Sequence, residues 1–420
     1  MRILIISRHF PRKQSSWSVG VYKRFKMFVD AIKGIAEIDL LYYVPEGVNT
    51  SSLAVKQQES SLSRFLNSPI RLFLCNRSHN RTLISKLSKY ALGSFFFCRQ
   101  PNYSGITGTK QIQAFETCLS SNPDAIFVHR LGSMCPILHT SKALPPIFFD
   151  MDDIEHVAFK RGIRYLTKKS SRLLNYIILP ALFWGEYRSV RLSHRTFVCS
   201  EIDRKYLKRW LRFKSIGVIP NAVTIPEEQP PAQEATLLFI GSYSYKPNIY
   251  AAEFLITQIW PLVHEKIPAS TLIIAGSPPD RIPSYGRDAQ GVRFTGFVEN
   301  LDDLYRKSRV VCAPILWGGG TRVKIIEAAA YCKPIVSTWL GAEGIELHDG
   351  NGIFLRDDPK SFAEACIRLL KDKQLCECMG KAARAAIISK YDQKQIKRMI
   401  QEYITASKFG KNKFKIEQVR

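Results

Sequence analysis

The sequence contains no apolar run of membrane-spanning length. Its longest, Leu173–Trp184, covers twelve residues and is interrupted by Asn175 and Pro180, whereas a span needs about 20. It reads as a core helix or an interfacial segment. An export signal is not expected either: MRILIISRHFPRKQ offers only Ile3 to Ile6 before a basic stretch, short of the roughly 7–15 apolar residues such a signal requires. Those residues are expected to form a buried first strand. None of the ten cysteines forms a CxxC pair, and Cys376 and Cys378 lack a second ligand pair for zinc. Reduced thiols in the cytoplasm are the expectation. Acidic residues are scarce, 36 Asp and Glu against 61 Lys and Arg, for a net charge of +25. That surplus favours an anionic partner: nucleic acid, an acidic membrane face or a phosphorylated substrate. No recognition-helix, RNP or zinc signature accompanies it, so nucleic acid is not expected.

What is present is an ordinary globular composition, 45% hydrophobic and 23% charged over 420 residues. The length suggests two to three domains. A strand ILIIS, a loop reaching Gly20, a helix VYKRFKMFVDAIKGI and a strand from Ile38 open the chain. Val21, Phe25, Phe28, Val29 and Ile32 fall on one helical face, the start of a parallel α/β unit. Buried strands are expected to end at His129, Asp150 and Ser200, while residues 50–110 read as helices with loops. PEEQPPAQEA, from Pro226, is a plausible linker. After it the alternation restarts with TLLFIGS, STLIIAGS, VRFTGF, RVVCAPI, PIVST and GIFL. Two consecutive parallel-sheet domains place a ligand cleft at the carboxyl ends of their strands.

The clearest chemistry lies in PILWGGGTRVKIIEAAAYCKPIVST, Pro314 to Thr338. A buried strand runs into Gly318, Gly319 and Gly320, and Thr321 is expected to open a helix. Glycines allow close backbone approach to a ligand, and a helix start offers free N–H groups. Arg322 and Lys324 add positive charge in the first turn, where the helix dipole disfavours it. A bound phosphate explains them; an ordinary strand–Gly–helix turn with surface cations is the alternative. Glu327, in the second turn, suits a pair of ribose hydroxyls, since a carboxylate accepts hydrogen bonds. The Walker phosphate-loop spacing is absent.

This stretch resembles the donor-binding segment of family-4-like glycosyltransferases, which have the GT-B fold. ILIISRHFP with its loop to Gly20, VCSEIDRKYL, VIPNAV, FIGSYSYKPNIYAAEFL and VRFTGFVENLDDLYRKSRVVCAPI resemble further segments of that family in order. The resemblance implies an α/β, GT-B fold: two Rossmann-like domains facing across a cleft. The N-terminal, acceptor-binding domain is expected over 1–225, the nucleotide-sugar domain over 226–390, and over 391–420 a helix returning to the first domain plus a basic tail. By match of position, Glu327 holds the ribose, Gly318 to Thr321 face the diphosphate and sugar, and Gly296, Phe297 and Val298 border the base. Ser242 stands where the family has a phosphate-binding Arg, with Lys246 near the Lys position; Arg322 or Lys324 is the candidate replacement. Gly319 occupies the first position of the family's Glu-x7-Glu pair, which leaves the sugar contact and donor identity open.

In PIFFDMDDIEH, Asp150, Asp152 and Asp153 follow a strand. They resemble the metal-binding signature of single-domain GT-A enzymes, and equally an acidic helix start. Many family members place a histidine near the donor sugar; here the nearest match is Asp150, with His129 ending the preceding strand and His156 following. Asp150 is expected to face the cleft, and Asp150 and His129 are the catalytic candidates. Fifteen Lys and Arg against three acids lie in Lys160–Lys214, interleaved with Tyr165, Leu173, Leu174, Trp184 and Trp210. This block suits an anionic membrane interface or a solvated helix face. The resemblance implies a retaining hexosyltransferase moving sugar from a nucleotide-sugar to a saccharide or lipid-linked saccharide in surface-polysaccharide assembly. No metal or cofactor is expected, and the location is cytoplasmic with a peripheral place on the inner membrane face. A nucleotide-sugar epimerase on the same fold and a non-catalytic, basic nucleic-acid or membrane binder are the alternatives.

Overall fold

A computed structural model describes every residue except 12–16, 18, 79–89, 212–214, 229–231 and 407–420. Part of the linker, the end of the basic block and the tail lysines 408, 411, 413 and 415 lie outside the described residues. The chain forms two compact units, Met1–Ile219 joined by the chain from Lys397, and Pro220–Ile396.

In the first unit the strands are β1 (Arg2–Ser7), β2 (Glu37–Val44), β3 (Ile70–Asn76), β4 (Ala125–His129), β5 (Ile147–Asp152), β6 (Arg195–Val198) and β7 (Ile216–Val218). They pair in the order β3-β2-β1-β4-β5-β6-β7, all parallel. Both faces of such a sheet are covered, so Ile3, Leu4, Ile5 and Ile6 are all fully buried. The helices are α1 (Gly20–Ile32), α2 (Ser52–Leu66), α3 (Thr109–Leu119), α4 (Glu155–Ile163), α5 (Lys169–Leu192) and α6 (Glu201–Leu211).

The second unit repeats the plan with β8 (Thr236–Ile240), β9 (Thr271–Ala275), β10 (Val292–Gly296), β11 (Val310–Ala313), β12 (Ile335–Ser337), β13 (His348–Asp349) and β14 (Gly352–Leu355). Their order is β10-β9-β8-β11-β12-β14-β13. Alternation divides the core: Leu237, Phe239, Val310 and Cys312 point to one face, and Leu238, Val311 and Ala313 to the other, as a period of two requires. Its helices are α7 (Lys246–Phe254), α8 (Trp260–Lys266), α9 (Asp302–Lys307), α10 (Val323–Ala330), α11 (Pro359–Lys371) and α12 (Lys373–Tyr391). The last helix, α13 (Gln393–Thr405), ends in the first unit, where the Gln401 amide donates to the Ala31 carbonyl at 3.0 Å.

Three expectations change. Residues 50–110 hold an edge strand, β3, beside the expected helix α2; pairing on one side leaves it only partly buried, so its hydrophobic signal is weak. The alternation after the linker is expected to place one helix between TLLFIGS and STLIIAGS, but it is broken by a π-turn at Leu255–Ile259, just before Pro261, which has no N–H to continue the ladder. The helix after the glycines begins at Val323 with Arg322 as its N-cap, two residues later than Thr321. The apolar run Leu173–Trp184 lies within α5. No helix among the described residues is long and apolar enough to cross a membrane.

Candidate functional site

The strand order reverses between β1 and β4 in the first sheet and between β8 and β11 in the second. Crevices at such points, beyond the carboxyl ends of the strands, are where open α/β sheets bind ligands. In the second unit two turns meet there. One, Gly241–Tyr245, follows β8; the other, Pro314–Arg322, follows β11. A Cβ on Gly318 would lie 2.9 Å from the Tyr245 hydroxyl, and Lys324 Nζ donates to Asn248 Oδ1 at 3.0 Å. Asn248 in turn donates to the Ser242 carbonyl at 3.0 Å. Gly276, after β9, abuts Gly241, and its N–H donates to the Gly296 carbonyl at 2.8 Å. The turns after β8, β9, β10 and β11 thus adjoin along one edge of the sheet.

The charges in this edge are unusual. Arg322 is buried, and one guanidinium nitrogen donates to the carbonyls of Gly319 and Gly320. Its Nε and Nη2 are buried without hydrogen-bond partners, and an unpaired buried cationic donor is costly. Lys324 is half-buried, its ammonium 4.2 Å above the Phe239 ring. Burial, reinforced by Arg322, pushes its pKa down to about 7. Two cations so placed suit an anionic ligand. Glu327 stands one turn further along α10 and accepts from the Tyr305 hydroxyl at 3.0 Å. Tyr305 is itself buried and stacked on Tyr331, 4.8 Å between centroids, and Tyr331 donates to Asp302. Thr321 is fixed by the Asn221 amide at 2.8 Å.

Residues 234–372 match the family described as glycosyl transferases group 1. The second unit carries a group 1 glycosyltransferase domain. Among curated proteins, the chain is 24% identical over 168 residues to an uncharacterized 44.6 kDa protein in the cps region of Klebsiella pneumoniae, covering 38% of this chain and 43% of that one. It is 29% identical over 202 residues to a phosphatidyl-myo-inositol mannosyltransferase of Mycolicibacterium smegmatis, 44% of this chain and 51% of that one. The matches thus span about half the length of these relatives or less. Among solved structures, a variant of S. aureus TarM in complex with fondaparinux, α-GlcNAc-glycerol and UDP aligns with a TM-score of 0.66 at 14% identity, over 95% of this chain and 99% of that one. The fold is GT-B.

Within the group 1 domain the structure places the named residues in three groups. Ser242 lies in the turn after β8, and Lys246 is exposed at the start of α7. Gly318, Gly319, Gly320, Thr321 and Arg322 lie in the turn after β11, and Lys324 and Glu327 follow on α10. Gly296 ends β10, and Phe297 and Val298 follow it: Gly296 has a φ of +65° and no neighbour within 4 Å of where a Cβ would stand, and Phe297 is exposed. Tyr305, Asn248 and Asn221 also adjoin these residues; they lie within segments that resemble the family, but nothing local singles them out. Gly318→Ala tests the turn. Its φ of +122° and the 2.9 Å approach to Tyr245 are expected to cost about 1–3 kcal/mol. Urea unfolding checks this, with Gly296→Ala losing less because no neighbour crowds it.

In the first unit His129 ends β4 beside Ser7 at the end of β1, and their Nδ1 and Oγ are 3.0 Å apart. The imidazole is fully buried, its Nε2 has no hydrogen-bond partner, and His9 packs edge-on with centroids 5.4 Å apart. Burial, then Arg130 and Arg24, holds the His129 pKa well below the ordinary histidine value, so it is neutral at neutral pH. Asp150, expected to face the cleft, is closed off from solvent. Its carboxylate is fully buried and gripped by Arg24, whose Nη2 lies 2.6 Å from Oδ1 and Nε 3.0 Å from Oδ2. Arg24 also reaches Asp152 at 3.3 Å and the Ile219 carbonyl at 2.8 Å, and Arg130 pairs with Asp153. Among the described residues no three His, Cys, Asp or Glu gather as a metal site. Gly20 is the first residue of α1.

Proposed function

We propose that the protein is a retaining glycosyltransferase. It moves a hexose from a nucleotide-sugar to a saccharide or lipid-linked saccharide acceptor in cell-surface polysaccharide assembly. The observation that carries this reading is the buried Arg322 with two unpaired donors beside Lys324, in the turn after β11. A nucleoside diphosphate supplies the oxygens those donors lack. A relative encoded in a cps region, a mannosyltransferase relative and a UDP-bound fold neighbour support it.

In this reading Arg322, Lys324 and Lys246 meet the diphosphate charge without a metal or other cofactor, and Glu327 takes the ribose hydroxyls. Gly318 to Gly320 admit the sugar. The bond from the anomeric carbon to the phosphate oxygen breaks with its electron pair passing to the diphosphate. The acceptor hydroxyl forms the new bond from the same face and gives its proton to the departing phosphate oxygen. Neutral His129 is assigned to acceptor positioning, and Asp150 acts through Arg24. The protein is placed in the cytoplasm, peripheral to the inner membrane face.

Donor binding carries a pH signature. Free Lys324 has a pKa of about 7, and a diphosphate stabilises its charged form. Binding above pH 7 therefore takes up a proton, and affinity for a nucleotide-sugar falls by up to about tenfold per pH unit. The sign for stability is opposite. Because the folded pKa lies below the ordinary 10.5, the ligand-free fold gains stability as pH rises from 7 toward 10.5. Calorimetry in buffers of different ionisation enthalpy measures the proton uptake, and Lys324→Arg should abolish it. A nucleotide-sugar that binds with no proton uptake would remove Lys324 from the site. Sugar altered without any acceptor present would favour an epimerase instead.

A further inference from the structure

A cavity of about 690 Å³ lies in the first unit between α4, α5 and α6. Helical spacing builds it. His156 and Lys160 on α4 and Arg164 at its C-cap recur every four residues, with Arg161 beside them, so one face carries three cations to its wall. The opposite wall is apolar: Leu179, Pro180 and Phe183 of α5. No Asp or Glu is among its described lining residues. The base is fixed by a buried polar chain in which His156 Nδ1 pairs with Glu186 and Nε2 meets the Tyr206 hydroxyl at 2.7 Å. Its volume is that of an ordinary small-molecule site.

The apolar wall does not stop at the rim. Leu173, Ile177, Pro180 and Trp184 follow one another at spacings of four, three and four on α5, which is a single helical stripe. Leu173 is 63% exposed, Ile177 48% and Trp184 53%. Beside that helix stand Phe95, 74% exposed, and Phe96, 60% exposed, anchored by Gln100, which donates to the Gly93 and Ile178 carbonyls. A cationic wall, an apolar wall and an exposed apolar stripe leading away from the cavity are complementary to one ligand type: an anionic group on an aliphatic chain.

We infer that this cavity binds a lipid phosphate, the phosphate against Lys160, Arg161 and Arg164 and the chain along Leu179, Pro180 and Phe183. The inference deepens the glycosyltransferase reading, on which it rests for the view that this ligand is the acceptor's anchor. It narrows the acceptor to a phosphate ester of a long-chain alcohol or of a lipid.

The full-length chain is titrated with dodecyl phosphate below its micelle concentration, with inorganic phosphate and dodecyl maltoside as controls. Dodecyl phosphate is expected to bind at least about tenfold more tightly than either, because only it engages both walls. Lys160→Ser with Arg164→Ser should weaken it by about thirtyfold, each exposed cation near an anionic lipid being worth about fivefold, while Lys160→Arg with Arg164→Lys restores it. Both side chains are exposed, so the fold is expected to persist, and unchanged thermal unfolding verifies this. Equal binding of dodecyl maltoside, or no loss in the serine variant, overturns the proposal. Binding of UDP-glucose, UDP-N-acetylglucosamine, GDP-mannose and dTDP-rhamnose is measured in the same samples. A chain that binds any of these nucleotide-sugars but not dodecyl phosphate refutes the lipid-phosphate site alone. One that binds dodecyl phosphate but none of them refutes the transferase reading and leaves the cavity a lipid-phosphate site.

Discussion

Glu327→Ala is expected to lower sugar transfer by about 100-fold or more. A carboxylate that accepts two hydroxyls makes charge-assisted hydrogen bonds of roughly 1.5–3 kcal/mol each, and their joint loss reaches that factor. The structure gives Glu327 the preparation such a role needs. It stands on the helix that leaves the glycine turn, and the buried Tyr305 hydroxyl holds its carboxylate at 3.0 Å. Tyr305 is stacked on Tyr331 and so cannot swing away. Tyr305→Phe removes only one neutral donor, about 1 kcal/mol, and should cost no more than about tenfold. Steady-state transfer and equilibrium nucleotide-sugar binding measured on both variants separate the roles. If Glu327→Ala transferred sugar at the wild-type rate, the donor site would lie elsewhere.

Arg24→Met should produce the largest loss of stability, about 3–5 kcal/mol, because removing one partner strands a buried charge. Asp150 is fully buried and takes three of its contacts from this guanidinium, and Asp152 takes another. Burial opposes the guanidinium charge, yet the two carboxylates outweigh it and raise the Arg24 pKa above the ordinary arginine value. Urea unfolding of the first unit measures the loss, and Arg24→Met combined with Asp150→Asn should recover most of it. The same pair decides what Asp150 does. A folded Asp150→Asn enzyme with unchanged stability and transfer reduced by orders of magnitude would make the carboxylate a reacting group instead of a partner of Arg24.

Arg24 shows how far the sequence could be read. Val21, Phe25, Phe28 and Ile32 define the buried stripe of α1, and position 24 lies on it at the i+3 spacing from Val21. A cation on an apolar stripe implies a buried acid opposite, but nothing local says which. Asp150 is 126 residues away, on a strand whose end is brought beside α1 only by sheet pairing. Lys324 is a similar case. Its place after the glycines was visible, but its pKa near 7 depends on Phe239 beneath it, on burial and on Arg322.

Sequence alone determined the alternation of strands and helices, the two-sheet α/β architecture and the glycine turn with Arg322, Lys324 and Glu327. These follow from local signals: four- to eight-residue apolar runs for buried strands, helical periodicity between them, and glycines at a strand-to-helix turn. Tertiary structure decided what those residues are worth. Packing left two donors of Arg322 unpaired, set Tyr305 against Glu327 and closed Asp150 off behind Arg24. It also turned three cations of the basic block toward one cavity. Charge state, pairing and access are properties of neighbours distant in the chain, and only folding supplies those neighbours.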